Sequence, residues 1–128
     1  MREQRISSGT TWEDDIGYSR VVRRGAYVAV SGTTAVDGDR VVGEGDAGAQ
    51  AAFIFRKVTS YLAKVQAVPS DVVRVRLYVT QPADTAPVTA AFTESFGAVR
   101  PAASLLIVSG FIDERLLVEI EVDAVVAE

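Results

Sequence analysis

The residues best placed to do chemistry lie near the end of the chain. Glu119, Glu121 and Asp123 recur at every second position, between Val118, Ile120, Val122 and Ala124. A period of two puts the three carboxylates on one face of a strand and the apolar set on the other. Like charges held close together raise at least one pKa. A carboxyl raised in this way can exchange a proton with bound water near neutral pH, which makes the three carboxylates candidates for general acid–base work. Arg115 has the same parity as Glu119 and is expected to point to the same side. Upstream, Arg74, Arg76 and Tyr78 alternate with Val73, Val75, Leu77 and Val79, offering a matching basic face.

What is missing narrows the chemistry further. The 128 residues include no Cys and no His. Disulfides, thiolate nucleophiles and imidazole bases are therefore excluded. Zinc and most transition-metal sites, which draw on those ligands, are excluded too. Catalysis would have to run on carboxylates, Arg, Tyr, Ser, Thr, backbone amides and water. Ser104 and Ser109 have no visible base partner, which makes either a poor nucleophile. The net charge of −4 argues against a nucleic-acid partner. Arg20, Arg23 and Arg24 form the tightest basic cluster and read as a solvated strand face. Apolar residues make up 48%, but no run approaches the roughly 18 residues that span a bilayer. The polar N-terminus lacks a secretory h-region, so the expected compartment is the cytoplasm.

The elements that must position these residues fit one domain over 1–128, with an N-terminal arm at 1–16 and a core at 17–126. In the arm, Trp12 precedes Glu13, Asp14 and Asp15 and can anchor on a neighbouring subunit or wall a pocket. Strands are predicted over 18–22 and 26–31. Asp37-Gly38-Asp39 supplies a turn, giving a β-meander over 20–43. Asp46 is a predicted N-cap for a helix of about five turns. Ala51, Ile54, Phe55, Val58, Tyr61, Leu62 and Val65 form its apolar stripe. A strand over 73–79 follows. Asp84 is a predicted cap for a second helix, with Pro87 in its first turn and Gly97 as its stop. Strands over 103–109 and 115–126 complete an α+β chain, a mixed sheet with both helices on one face. The opposite face carries Arg74, Arg76 and Tyr78 beside Glu119, Glu121 and Asp123, with Leu117 and Val125 among them. Two readings stand: cross-strand ion pairs alone, or a face that packs on sister subunits and leaves a polar cleft.

Gly17-Tyr18, then Ser31-Gly32-Thr33 at a strand end, resembles the tyrosine and Ser-Gly motif of the RidA (YjgF, or L-PSP) family of imine deaminases. Arg100-Pro101-Ala102-Ala103-Ser104 and Leu117-Val118-Glu119-Ile120-Glu121-Val122 resemble that family's C-terminal signature. The likeness covers about residues 16–126. It implies a chorismate-mutase-like fold and a homotrimer with clefts at the subunit interfaces. It also implies metal-free, cofactor-free hydrolysis of enamines and imines to ketoacid and ammonia. By resemblance, Tyr18 is the cleft tyrosine, Ser31 and Gly32 line the cleft floor, and Glu119 orients water or accepts a proton. The family's substrate-clamping arginine stands where this chain has Ala103, beside Ser104. Its cleft cysteine is Leu105 here, and a frequent asparagine is Thr89. Ala103 cannot make the two parallel hydrogen bonds of a guanidinium, so the clamp is lost unless Arg115, Arg20 or Arg100 reaches in. Arg100 precedes Pro101 and is expected to be extended, outside the site. Two other functions share this scaffold: a non-catalytic small-molecule binder, and the endoribonuclease or translation inhibitor that some relatives are named for.

Overall fold

The computed structural model describes residues 3–127. Its strands are β1 (Glu3–Ile6), β2 (Val21–Arg24), β3 (Tyr27–Thr33), β4 (Val36–Asp37), β5 (Arg40–Val41), β6 (Val72–Val79), β7 (Ala102–Ile107) and β8 (Val118–Val125). Its helices are α1 (Thr11–Ile16), α2 (Ala47–Lys64) and α3 (Thr85–Phe96). Six strands form one sheet in the order β1-β2-β3-β8-β6-β7. The β6–β7 pair is parallel and its other pairs are antiparallel. The parallel pair needs a crossover, and α3 supplies it. The structure thus has the expected α+β class.

The long helix forms where its sequence requires it. The Asp46 side chain accepts a hydrogen bond from the Ala49 N–H at 3.0 Å, satisfying an otherwise orphaned donor. The 18 residues of α2 make five turns. Its predicted stripe is buried from end to end, and Phe55 packs against Phe92 and Phe96 of α3. From the sheet, Val28, Val30, Val75, Leu77, Ile120 and Val122 meet that stripe. Each fully buried side chain of this size contributes about 1.5–3 kcal/mol.

Several expectations need correction. The expected arm carries regular structure over its described length: residues 3–6 add an edge strand and residues 11–16 form a helix. Its first two residues lie outside the described residues. Tyr18 precedes β2 rather than opening it. The meander is partial. Gly38 adopts φ +66° at the predicted turn, but β4 and β5 leave the main sheet as a separate ribbon. In β6 the buried residue at the start is Val72, and Val73 is 46% exposed. The register with β8 shifts between Val72 and Arg74, so the alternation slips by one. Asp84 makes no side-chain cap bond, since a 3-10 turn over Pro82–Asp84 already leads into α3. Gly97 keeps helical φ, and the chain takes its left-handed step at Arg100 instead. The last strand opens at Val118, which leaves Arg115 in the preceding loop.

Candidate functional site

The site grows from an irregularity in β3. Val30 faces Val122 and Thr33 faces Ile120, so three steps along β3 match two along β8. The extra residue makes a bulge at Ser31 and Gly32, a device that re-aims side chains next to sites. Hydrogen bonds from Ser31 to the segment leading into β2 hold the bulge. The Ser31 N–H donates to the Arg20 carbonyl at 2.9 Å, and Ser31 Oγ donates to the Ser19 carbonyl at 2.7 Å.

Arg20 fastens the same bulge from inside and is 8% exposed. Its Nη1 donates to the Gly32 carbonyl at 2.6 Å and to Thr33 Oγ1 at 3.3 Å. Its Nη2 donates to the Tyr18 hydroxyl at 3.3 Å, and its Nε lies 3.8 Å from Glu13 Oε2. The cluster predicted as a solvated face is therefore two-thirds buried. Arg23 also turns inward, donating to the Val65 carbonyl at 2.8 Å, and Arg24 alone is exposed.

Glu119 sits over Gly32. A Cβ built on Gly32 would fall 2.9 Å from Glu119 Cδ and 3.0 Å from Oε2, closer than real Cβ contacts. Gly32 is thus the seat of the carboxylate, and a larger residue there would displace it. Among the described residues Glu119 takes no hydrogen bond and no ion pair. Its pKa is raised above the ordinary carboxylate value, first by burial and then by the charge of Glu121, with Arg20 opposing. Glu121 differs, because it accepts from the Tyr78 hydroxyl and lies 4.0 Å from Arg76 Nε. Asp123 is 3.4 Å from Arg76 Nη1. Of the three alternating carboxylates, the one over the bulge is the unpaired one.

Glu119 and Gly32 line a groove of about 1080 Å³. Trp12, Ile16 and Tyr18 form one wall, Phe53, Lys57 and Tyr61 of α2 another, and Ile112 and Arg115 the far rim. The structure thus brings together Tyr18, Arg20, Gly32, Arg115 and Glu119, with Ser31 in the bulge beside them. It does not bring in the rest. Thr89 lies on α3, its hydroxyl donating to the Thr85 carbonyl at 2.9 Å. Ala103, Ser104 and Leu105 lie on β7, paired with Val75, Arg76 and Leu77, with β6 between them and β8. Leu105 packs on the core. The parity argument for Arg115 fails because it precedes the strand. Its guanidinium is closed on Asp113, at 2.8 Å and 3.1 Å, and that pairing holds Asp113 down at about 2.

Three positioning residues were not anticipated. Gln50, fully buried, accepts from the Leu117 N–H at 2.9 Å and donates to the Arg115 carbonyl at 2.9 Å, which pins the entry to β8. A polar residue at the head of an apolar stripe was its one signal. Lys57 donates to the Thr34 and Val36 carbonyls at 3.1 and 2.8 Å and holds the chain leaving the bulge. Glu13 was legible as the fourth residue of Thr10-Thr11-Trp12-Glu13, the spacing of a capping box. It is 2% exposed and accepts from the Ser8 N–H at 3.0 Å, from the Ser8 hydroxyl, and from Thr10 Oγ1 at 2.9 Å.

Burial alone would raise the Glu13 pKa, but the Ser8, Thr10 and Ser7 hydrogen bonds outweigh it and bring the carboxyl to about 2. A folded pKa below the unfolded one gives stability that is present above the ordinary value and is lost as pH falls toward 2. Thermal melts from pH 7 to pH 3 are therefore expected to show a falling limb below about pH 5, flattened in Glu13→Gln. An unchanged limb in that variant would remove Glu13 from the account.

Among the described residues no helix is long and apolar enough to cross a membrane, and no group of His, Cys, Asp and Glu could hold a metal. With the geometry established, comparison with known proteins identifies the scaffold. The family model described as Endoribonuclease L-PSP matches residues 13–126. A Streptomyces coelicolor protein, named as uncharacterized, is 40% identical over 121 residues, which is 94% of this chain and 90% of that protein. The crystal structure of a Mycobacterium tuberculosis member of the YjgF/YER057c/UK114 family superposes with a TM-score of 0.88 at 38% identity, covering 98% of this chain and 100% of that one. A Pseudomonas aeruginosa protein of unknown function gives 0.85 at 30%, covering 98% and 93%. The match spans both the bulge and the Glu119 strand, and the chain belongs to the L-PSP family, also known as RidA/YjgF.

Proposed function

We propose that the groove hydrolyses imines and enamines, with Glu119 as general base and then acid and Tyr18 as a donor at its edge. The supporting observation is the unpaired, half-buried carboxylate over Gly32. A water bound there gives a proton to Glu119 as its oxygen forms a bond to the imine carbon, and the C=N π pair moves to nitrogen. Glu119 returns that proton to nitrogen, giving a carbinolamine. It then takes the hydroxyl proton and passes it to nitrogen as the C–N bond breaks, so that ammonia leaves and the carbonyl forms. Proton transfer by one positioned group of this kind contributes about 10²–10⁴-fold.

The working unit on this reading is a trimer. Within one chain Thr89, Ala103, Ser104 and Leu105 stand apart from the Glu119 groove. The open face of the sheet still exposes Tyr27, Leu106 and Val125 around the Arg76 ion pairs. Packing that face on sister copies covers the apolar residues and carries β7 of one copy toward the groove of another. Light scattering is expected to give three times 13.7 kDa at micromolar concentration. A monomer at that concentration would remove the completed cleft.

Catalysis itself is tested by following ammonia release from imines generated in situ. Hydrolysis faster than in buffer supports the reading, and none with any imine rejects it. Because Ala103 replaces the clamp, short 2-imino acids are expected to be poor substrates, and Ala103→Arg is expected to improve them. Ribonuclease activity, the sense of the family description, finds less support. The groove cations are engaged internally, and the chain has no His to relay a proton.

A further inference from the structure

The charge inventory of the groove selects a ligand class. Four cationic side chains line it, and each is engaged within the chain. Arg20 is held on the Gly32 carbonyl, and Lys57 on two carbonyls. Arg40 pairs with Asp37 at 3.4 Å, and Arg115 forks onto Asp113. Glu119 is left as the half-buried charge on the floor with no partner among the described residues. The groove lining also carries three exposed apolar side chains. Trp12 is 52% exposed, Ile16 65% and Ile112 76%, and all three face the groove.

A carboxylate-bearing ligand would meet no free cation of this chain among the groove residues and would be repelled by Glu119. A ligand with a cationic nitrogen would pair with Glu119 as a charge-assisted donor, the strong kind of hydrogen bond. Its apolar remainder would cover Trp12, Ile16 and Ile112, and Trp in particular suits both an apolar group and a nearby cation. We propose that the groove selects amines and iminium ions that carry a bulky apolar group and no carboxylate. The inference rests on the imine reading for its chemistry but not for its binding.

Calorimetry on the full chain at about pH 8, where amines stay charged and carboxylates ionised, separates the two. The probes are phenethylamine, 3-phenylpropanoate and ethylamine. The expected result is phenethylamine binding at least tenfold more tightly than either other probe. Glu119→Gln is expected to erase the preference for the amine over the carboxylate. Trp12→Ala, on an exposed side chain that leaves the core intact, is expected to weaken phenethylamine severalfold. Equal or tighter binding of 3-phenylpropanoate, or no binding of phenethylamine, overturns the inference. Phenethylamine binding without turnover of any imine rejects the hydrolase reading and leaves this one standing.

Discussion

Replacing Glu119 by Gln is expected to cost about 100-fold or more in imine turnover while leaving the melting temperature equal or higher. The two effects have one cause. The carboxylate is unpaired, and its pKa is raised chiefly by burial. A carboxyl with a raised folded pKa binds its proton more tightly folded than unfolded. Its stabilising contribution is present below the unfolded value of about 4.5 and is lost as pH rises through the folded value. Above that point the fold carries a desolvated charge that Arg20 only partly offsets. Gln keeps the shape and removes both the charge and its cost, and with them the proton acceptor. Stability of the parent relative to Glu119→Gln is therefore expected to fall as pH rises from about 4 into the neutral range. Melts and ammonia release measured on one preparation decide the matter. A marked drop in melting temperature with turnover intact would make Glu119 a structural residue.

Arg20 is expected to behave in the opposite way. Its guanidinium bonds the Gly32 carbonyl, Thr33 and Tyr18, and lies beside Glu13. Removing one partner from a buried charged network costs about 3–5 kcal/mol, because the others are left unsatisfied. That is a large share of a typical domain stability of about 5–15 kcal/mol. Arg20→Ala is thus expected to lower the melting temperature by on the order of 10–20 °C. Arg20→Lys is expected to fall between, since an ammonium cannot reproduce the fork. Turnover falls in both variants, because the bulge that seats Glu119 loosens. A melt of Arg20→Ala within about 2 °C of the parent would show that the bulge holds itself.

The contrast explains what the sequence could reveal. Residues Ala51 to Leu62 were legible because helical periodicity and burial obey one rule, and every member of the stripe is buried. The β8 alternation was legible for the same reason, and it isolated Glu119, Glu121 and Asp123 on one face. Which of the three stands unpaired was not. That depends on the bulge at Gly32 and on Arg76 reaching across from β6, and both are matters of register. Arg115 shows the limit of parity reasoning. Its alternation with Glu119 is intact in sequence, but the strand begins three residues later, and a parity continued into a loop has no meaning. Arg20 and Arg23 looked like a solvated face because basic residues usually are. Their burial follows from carbonyl acceptors at Gly32 and Val65, which no local pattern announces.

A crystal of the assembled protein soaked with phenethylamine, with 3-phenylpropanoate and with a short ketoacid tests the central claim, that Glu119 over Gly32 is the working carboxylate of this chain, most directly. The account predicts that the amine nitrogen lies within hydrogen-bond distance of Glu119, with the ring between Trp12 and Ile112 and with β7 of a second copy closing the groove. A ligand bound elsewhere while the groove stays empty, or a carboxylate ligand seated in it on Arg20 or Arg115, would contradict the claim.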